Sequence, residues 1–207
     1  MKKRTLKKLI KYTLLLFLLG VVAFFGYIRY GGYFLISKTD RNEIISDIKS
    51  APQLPDNFMT VYNDLYPKAL TNSGWNNVFN EVVFHRYNEC PSSDVAYIYG
   101  AYRLHGVFFY LAQLNFVIED NLTQQQCLNK SLKELDFANH VTGAENFAQK
   151  CFGKPLKELN EDQVLEILVS LKNPVLYNKE RKKRHQIFID RFNSLKRELE
   201  KNRTKHE

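Results

Sequence analysis

From Tyr12 to Ile28 the chain reads YTLLLFLLGVVAFFGYI, seventeen residues without a charge. As an α-helix that run covers roughly 26 Å, just short of the hydrocarbon thickness of a bilayer. Arg29 can snorkel to the interface, and Tyr27, Tyr30 and Tyr33 suit the headgroup layer. Six basic residues precede the run, and only Arg29 and Lys38 closely follow it. The positive-inside rule therefore puts the N-terminus in the cytoplasm and everything beyond about Lys38 across the membrane. A cleavable signal peptide shares the basic start and apolar centre, but this run outlasts a usual signal and no A-x-A-like site follows it. A core helix of a water-soluble protein would rarely be apolar on every face. The run reads as a retained anchor. It divides the chain into a basic leader (1–11), a membrane anchor (12–36), a linker (37–57) and one translocated domain (58–207).

The net charge of +8 is a property of that leader. Eight of the 30 Lys and Arg fall in residues 1–38, which hold no acid, so the remaining 22 basic residues balance the 22 acids. A nucleic-acid partner loses its main support. The 3 cysteines and 5 histidines show no C-x-x-C or H-E-x-x-H spacing, which argues against a zinc site or a dense disulfide framework.

Beyond the anchor the patterning is helical. SAPQLPDN (50–57) reads as a linker or a capped lead-in. Phe58, Val61, Tyr62, Leu65 and Leu70 follow at helical spacing, with Pro67 disturbing the end. The apolar and aromatic run 95–118 is broken by Arg103, His105, Gly100 and Gly106. It reads as a buried helix, or one grazing the membrane, rather than a second span. Helices are expected over 122–135 with Thr123 as cap, over 142–151 with Thr142 as cap, over 160–171 with Asn160 as cap, and over 179–201. The domain is mainly α.

The stretch LTQQQCLNKSLKELDFANHVTGAENFAQKCFGKPLKELNEDQVLEILVSLKNPVLYNKERKKR (122–184) resembles the back half of the peptidoglycan transglycosylase domain. That is the family 51 glycosyltransferase module of class A penicillin-binding proteins and monofunctional transglycosylases. Leu128, Leu132, Phe137, Asn139, Gly143, Glu145, Ala148, Phe152, Gly153 and Lys154 fall in register with its motifs, and Pro174, Tyr177 and Arg184 fill later ones. The Leu54-Pro55-x-x-Phe58 lead-in agrees as well. The resemblance implies a lysozyme-like helical fold on the outer face of a bacterial cytoplasmic membrane. It implies lipid II as substrate and cell-wall synthesis proteins as company. It marks Asn139, Gly143, Glu145, Phe152, Gly153, Lys154, Pro174, Tyr177 and Arg184 as candidate substrate or scaffold positions.

The chemistry parts from the family. Such glycosyl transfer needs a general base on the acceptor hydroxyl. The family's catalytic glutamate, eight residues after the lead-in Phe, falls on Tyr66, and its second glutamate falls on Leu111, with Val107 and Phe108 at its cationic pair. A phenol with a pKa near 10 is a poor base at neutral pH. Asp64 is the nearest acid, but two positions along a helix turn it about 200° to the other side; Glu119, Asp120 and Glu145 could form a new acid pair, although surface or capping roles are the simpler reading. Lys154, Arg184 and the basic run 179–185 could meet lipid phosphate or headgroups, or be solvated. Cys90, Cys127 and Cys151 would lie in an oxidising compartment, where one pair could bond; Cys127 and Cys151 read by default as buried thiols.

Three readings follow. The first is a degenerate transglycosylase that binds lipid-linked precursor or a partner. The second is an active, divergent peptidoglycan glycosyltransferase with a relocated base. The third is a bitopic envelope scaffold. No cofactor is called for, save a divalent metal if the second holds. Whether the chain is an enzyme stays open at this point.

Overall fold

A computed structural model describes residues 2–84, 89–103, 108–137, 141–171, 173–177 and 182–205. Ten α-helices are found among them: α1 (Lys2–Leu35), α2 (Lys38–Lys49), α3 (Asp56–Leu65), α4 (Gly74–Phe84), α5 (Pro91–Arg103), α6 (Phe108–Asn121), α7 (Gln124–Glu134), α8 (Ala144–Phe152), α9 (Glu161–Leu171) and α10 (His185–Arg203). The extended backbone that pairs is confined, among the described residues, to a single bridge between Asp136 and Thr142. The fold is mainly α. Among the described residues one helix is long and apolar enough to cross a membrane, Lys7–Leu35.

Two apolar clusters organise the chain. The first gathers Phe58, Tyr62 and Leu65 of α3, Leu128 and Leu132 of α7, Ala148 of α8, Val164, Leu165 and Leu168 of α9, and Phe188, Leu195 and Leu199 of α10. The second joins Ile36, Ile44 and Ile48 to Val95, Leu114, Ile118 and Cys127. Helix α7 serves both, since Cys127 and Leu128 are neighbours in sequence that face different clusters.

Local chemistry explains several ends. Thr123 accepts from the Gln126 N–H while the Gln126 side chain accepts from the Thr123 N–H, a reciprocal cap for α7. Asn160 Oδ1 accepts from the Gln163 N–H at 2.9 Å ahead of α9. Helix α8 begins differently from expectation. Its cap is Gly143, not Thr142, because φ there is +88° and a Cβ would meet Lys133 O at 2.8 Å. The linker reading also changes. Most of 37–57 is helix α2, capped by Ser37 and packed inward through Ile44 and Ile48, so only about 50–55 links. The run 95–118 divides into α5 and α6, with 104–107 outside the described residues. Helix α10 starts at His185 after a short 3-10 turn, Lys182–Arg184; Lys179 to Arg181 lie outside the described residues.

Candidate functional site

Helix α3 delivers Tyr66. The lead-in before it is tied down, for Leu54 N–H donates to Asn129 Oδ1 at 3.3 Å, and Asn57 Nδ2 donates to Leu156 O at 3.1 Å and Leu159 O at 2.9 Å. Tyr66 follows the last turn of α3, its ring edge-on to Tyr62 at 5.2 Å, and packs against the first cluster. Its hydroxyl is buried and meets no hydrogen-bond partner among the described residues. Burial, reinforced by the nearby charge of Glu89, pushes the phenol well above its ordinary range. At the position where the sequence reading expects a base, the group is therefore a neutral phenol at physiological pH.

Asp64 does not stand in for it. Arg203 Nε donates to its carboxylate at 2.8 Å, and Arg203 also reaches Glu161 at 2.8 Å, fixing α3 and α9 to the end of α10. Leu111, the second expected position, lies on α6 against Gly100 of α5. The two positions bring no carboxylate pair together.

The motif 143–154 is accounted for by α8. Gly143 and Gly153 bracket the helix at φ +88° and +64°, and Gly153 N–H closes it on Gln149 O at 3.0 Å. Glu145 sits in the first turn and accepts from Leu156 N–H at 3.2 Å, stitching α8 to the following turn. Phe152 packs against the first cluster and meets Phe147 edge-on at 6.4 Å. Tyr177 packs there too, while Pro174 opens the turn 174–177 that leads to it. Arg184 Nη1 donates to Val175 O at 2.6 Å. Lys154 is exposed and makes no ion pair among the described residues. Asn139 lies outside the described residues, as do His85, His105 and His140. All the described members of the motif except Lys154 thus have a structural task.

Three constellations escaped the sequence. Arg29 of α1 holds Asp120 of α6 through paired bonds of 2.9 and 2.6 Å, and Tyr33 adds a third at 2.8 Å. Asp120 is therefore a partner of α1 rather than a surface acid. One residue away, Glu119 Oε1 accepts from Gly74 N–H at 2.7 Å, Ser92 Oγ at 2.8 Å and Gln124 Nε2 at 3.1 Å. Burial raises this carboxyl above its usual range, against those donors. It caps α4 across the chain. Around it Asn77 Nδ2 and Asn115 Nδ2 both donate to Ser93 Oγ, at 3.1 and 3.2 Å. A buried Lys130 on α7 reaches Asp47 of α2 at 2.8 Å and Glu134 at 2.9 Å, and Tyr99 donates to the same Asp47 carboxylate.

No disulfide joins the three cysteines; Cys90 and Cys127 are buried and Cys151 is half-buried. Burial pushes the Cys127 thiol up to about 12. Among the described residues no three His, Cys, Asp or Glu side chains gather as a metal site would need.

Residues 111–199 match the family model described as Transglycosylase. The chain carries a transglycosylase domain over that stretch. The match takes in α7 to α9, most of α6 and most of α10, and so includes the Gly143–Gly153 helix. A search of the curated proteins finds no match. The domain ties the chain to the peptidoglycan of the cell wall.

Proposed function

We propose that the chain is a membrane-anchored, catalytically degenerate transglycosylase that serves peptidoglycan assembly by binding, not by polymerising. The observation that carries this is Tyr66: the site of the expected base holds a buried phenol whose oxygen meets no partner among the described residues. General-base catalysis needs a group poised near the working pH, and this one is displaced in the wrong direction. The proposed ligand is a lipid-linked peptidoglycan precursor, or a protein of cell-wall synthesis that handles it. The anchor supports this reading physically, because it keeps protein and lipid on one surface and raises their effective concentration. The orientation follows from the basic leader, with residues beyond Lys38 outside the cytoplasmic membrane.

One observation favours an active alternative. Glu119 is an acid held above its usual range, as a relocated base would be, although its Oε1 is fully engaged by three donors. The deciding experiment puts purified full-length protein in liposomes with labelled lipid II and a divalent metal ion, reading glycan polymer and binding on one sample. Binding without polymer is expected. Polymer that a phosphoglycolipid inhibitor abolishes would overturn the degenerate reading and send attention to Glu119.

A further inference from the structure

Helix α6 is covered on two sides. Along one seam it meets α1, where a Cβ on Gly32 would fall 2.6 Å from Gln113 O and 2.8 Å from Val117 Cγ2, and Gln113 Nε2 donates to Tyr27 O at 3.1 Å. On another side it meets the starts of α4 and α5 through amides, hydroxyls and one carboxylate. That second seam is polar and yet buried, with Asn77 only 5% and Asn115 only 3% exposed.

Asn115 and Glu119 are four residues apart on α6 and so share a face. The first turn of α4 comes down on it. Gly74 N–H donates to Glu119 Oε1, and a Cβ on Gly74 would fall 2.2 Å from Asn115 Nδ2 and 3.4 Å from Glu119 Oε2. Glycine is what lets α4 approach so closely, and the point where its Cβ would stand lies within reach of both groups. Asn77, further along α4, sends Nδ2 to Ser93 Oγ at 3.1 Å, and Asn115 Nδ2 reaches the same hydroxyl at 3.2 Å. The two amides are therefore neighbours.

Matching donors to acceptors leaves a remainder. Both amide nitrogens are turned to Ser93 Oγ, while Asn77 Oδ1 and Asn115 Oδ1 are buried and meet no hydrogen-bond partner among the described residues. The donors to Glu119 from Gly74, Ser92 and Gln124 all go to Oε1, and none among the described residues goes to Oε2. Two amide oxygens and one carboxylate oxygen remain, on α4 and on one face of α6. Buried oxygens without a partner cost free energy, and folds rarely leave two of them side by side.

A water molecule in that place would give its hydrogens and then require donors of its own, which the described side chains have spent elsewhere. A cation requires oxygens alone. One carboxylate with two neutral amides balances a single positive charge, whereas calcium collects several carboxylates and magnesium keeps its own waters. Among the described residues no three His, Cys, Asp or Glu side chains gather as a multivalent site would need.

We propose that Asn77 Oδ1, Asn115 Oδ1 and Glu119 Oε2 hold an alkali cation, sodium or potassium, that clamps the start of α4 to α6. Trp75 stands beside the clamp. It follows Gly74 in the chain, and its ring lies 4.7 Å from that of Phe116, the neighbour of Asn115.

Full-length protein in a neutral detergent is brought to a mildly alkaline pH, where a proton competes least for the carboxylate. It is then unfolded by heat in potassium, sodium or choline chloride at equal ionic strength. The expected result is a saturable rise of about 2–4 °C in the midpoint with potassium or sodium over choline. Thallium(I), which replaces potassium and quenches tryptophan, should quench Trp75, the chain's one tryptophan, along a saturable curve that potassium shifts. Asn77→Leu and Asn115→Leu keep nearly the same shape without the amide oxygen, and each should abolish the rise. Glu119→Gln keeps an acceptor for the donors and should raise the half-saturating concentration by more than about tenfold. Equal midpoints in all the salts would overturn the proposal and give the oxygens to ordered water. A rise seen only with magnesium or calcium would overturn the alkali assignment, and one that persists in both leucine variants would place the cation elsewhere. If the leucine variants do not fold, the salt comparison on the natural chain and the Glu119→Gln curve still decide.

Discussion

Arg29 and Asp120, 91 residues apart in the chain, meet through two hydrogen bonds that join the long N-terminal helix α1 to α6. The pair is bidentate, with side chains 26% and 30% exposed. It is worth more than a solvated ion pair because geometry and partial burial both favour it. Asp120→Asn is expected to cost about 1–3 kcal/mol of stability, the range for a hydrogen bond to a charged group. Chemical denaturation of the full chain in detergent measures it. Arg29→Lys should recover little, since an ammonium cannot reproduce the fork. A loss below a few tenths of a kcal/mol for either variant would show that the seam does not depend on the pair.

The two glycines that bracket α8 should behave differently. Gly143→Ala meets both a left-handed backbone and the Lys133 carbonyl, whereas Gly153→Ala meets backbone strain in open space. The first should cost on the order of 2–3 kcal/mol and the second about 1 kcal/mol. Thermal unfolding of both variants checks the order. Equal costs would mean that the Lys133 contact is relieved by a small shift.

Tyr66→Phe removes a buried hydroxyl that has no partner among the described residues, so stability should stay within about 1 kcal/mol or rise. Lipid II binding should be unchanged. Tyr66→Glu would bury a carboxylate in an apolar setting and is expected to destabilise the chain by several kcal/mol rather than restore polymerisation. Stable protein that polymerises lipid II after this change would show that the cleft for a base persists.

Glu119 gives a pH dependence of defined sign. Its carboxyl is raised by burial above the ordinary 4.5, so the folded state holds the proton more tightly than the unfolded one. Stability from this group is full below that value and falls as pH rises through the folded pKa. Glu119→Gln keeps an acceptor for Gly74, Ser92 and Gln124 and should flatten the decline. Denaturation midpoints from pH 4 upward, on both proteins, would reveal it; identical slopes would assign the decline to other groups.

Short-range chemistry was legible in the sequence. The Thr123 and Asn160 caps depend on residues three places away, and both appear in the structure. So does the apolar face of α9, whose Val164, Leu165, Ile167 and Leu168 all turn inward. The cap of α8 was misplaced because what selects Gly143 is a carbonyl ten residues earlier in the chain, not its neighbours. Helix α2 was hidden by its polarity, since only Ile44 and Ile48 mark its buried side. Glu119 and Asp120 looked alike as adjacent acids on one helix. They separate only once α1 and α4 approach from different directions, which no local pattern encodes. At the candidate site the sequence reading put Tyr66 and Leu111 where acids were expected, and the structure shows what each of them touches.

Gly32 carries a practical lesson about where this molecule begins. A membrane helix is commonly treated as a detachable tether, to be cut away so that the remainder can be purified in water. Here the cut would fall inside a folding unit. A chain started at Ser37 would strip Gln113, Val117 and Asp120 of their partners and leave α6 with an uncovered apolar side. The sparing truncation is at the other end of the helix, among the lysines ahead of Tyr12.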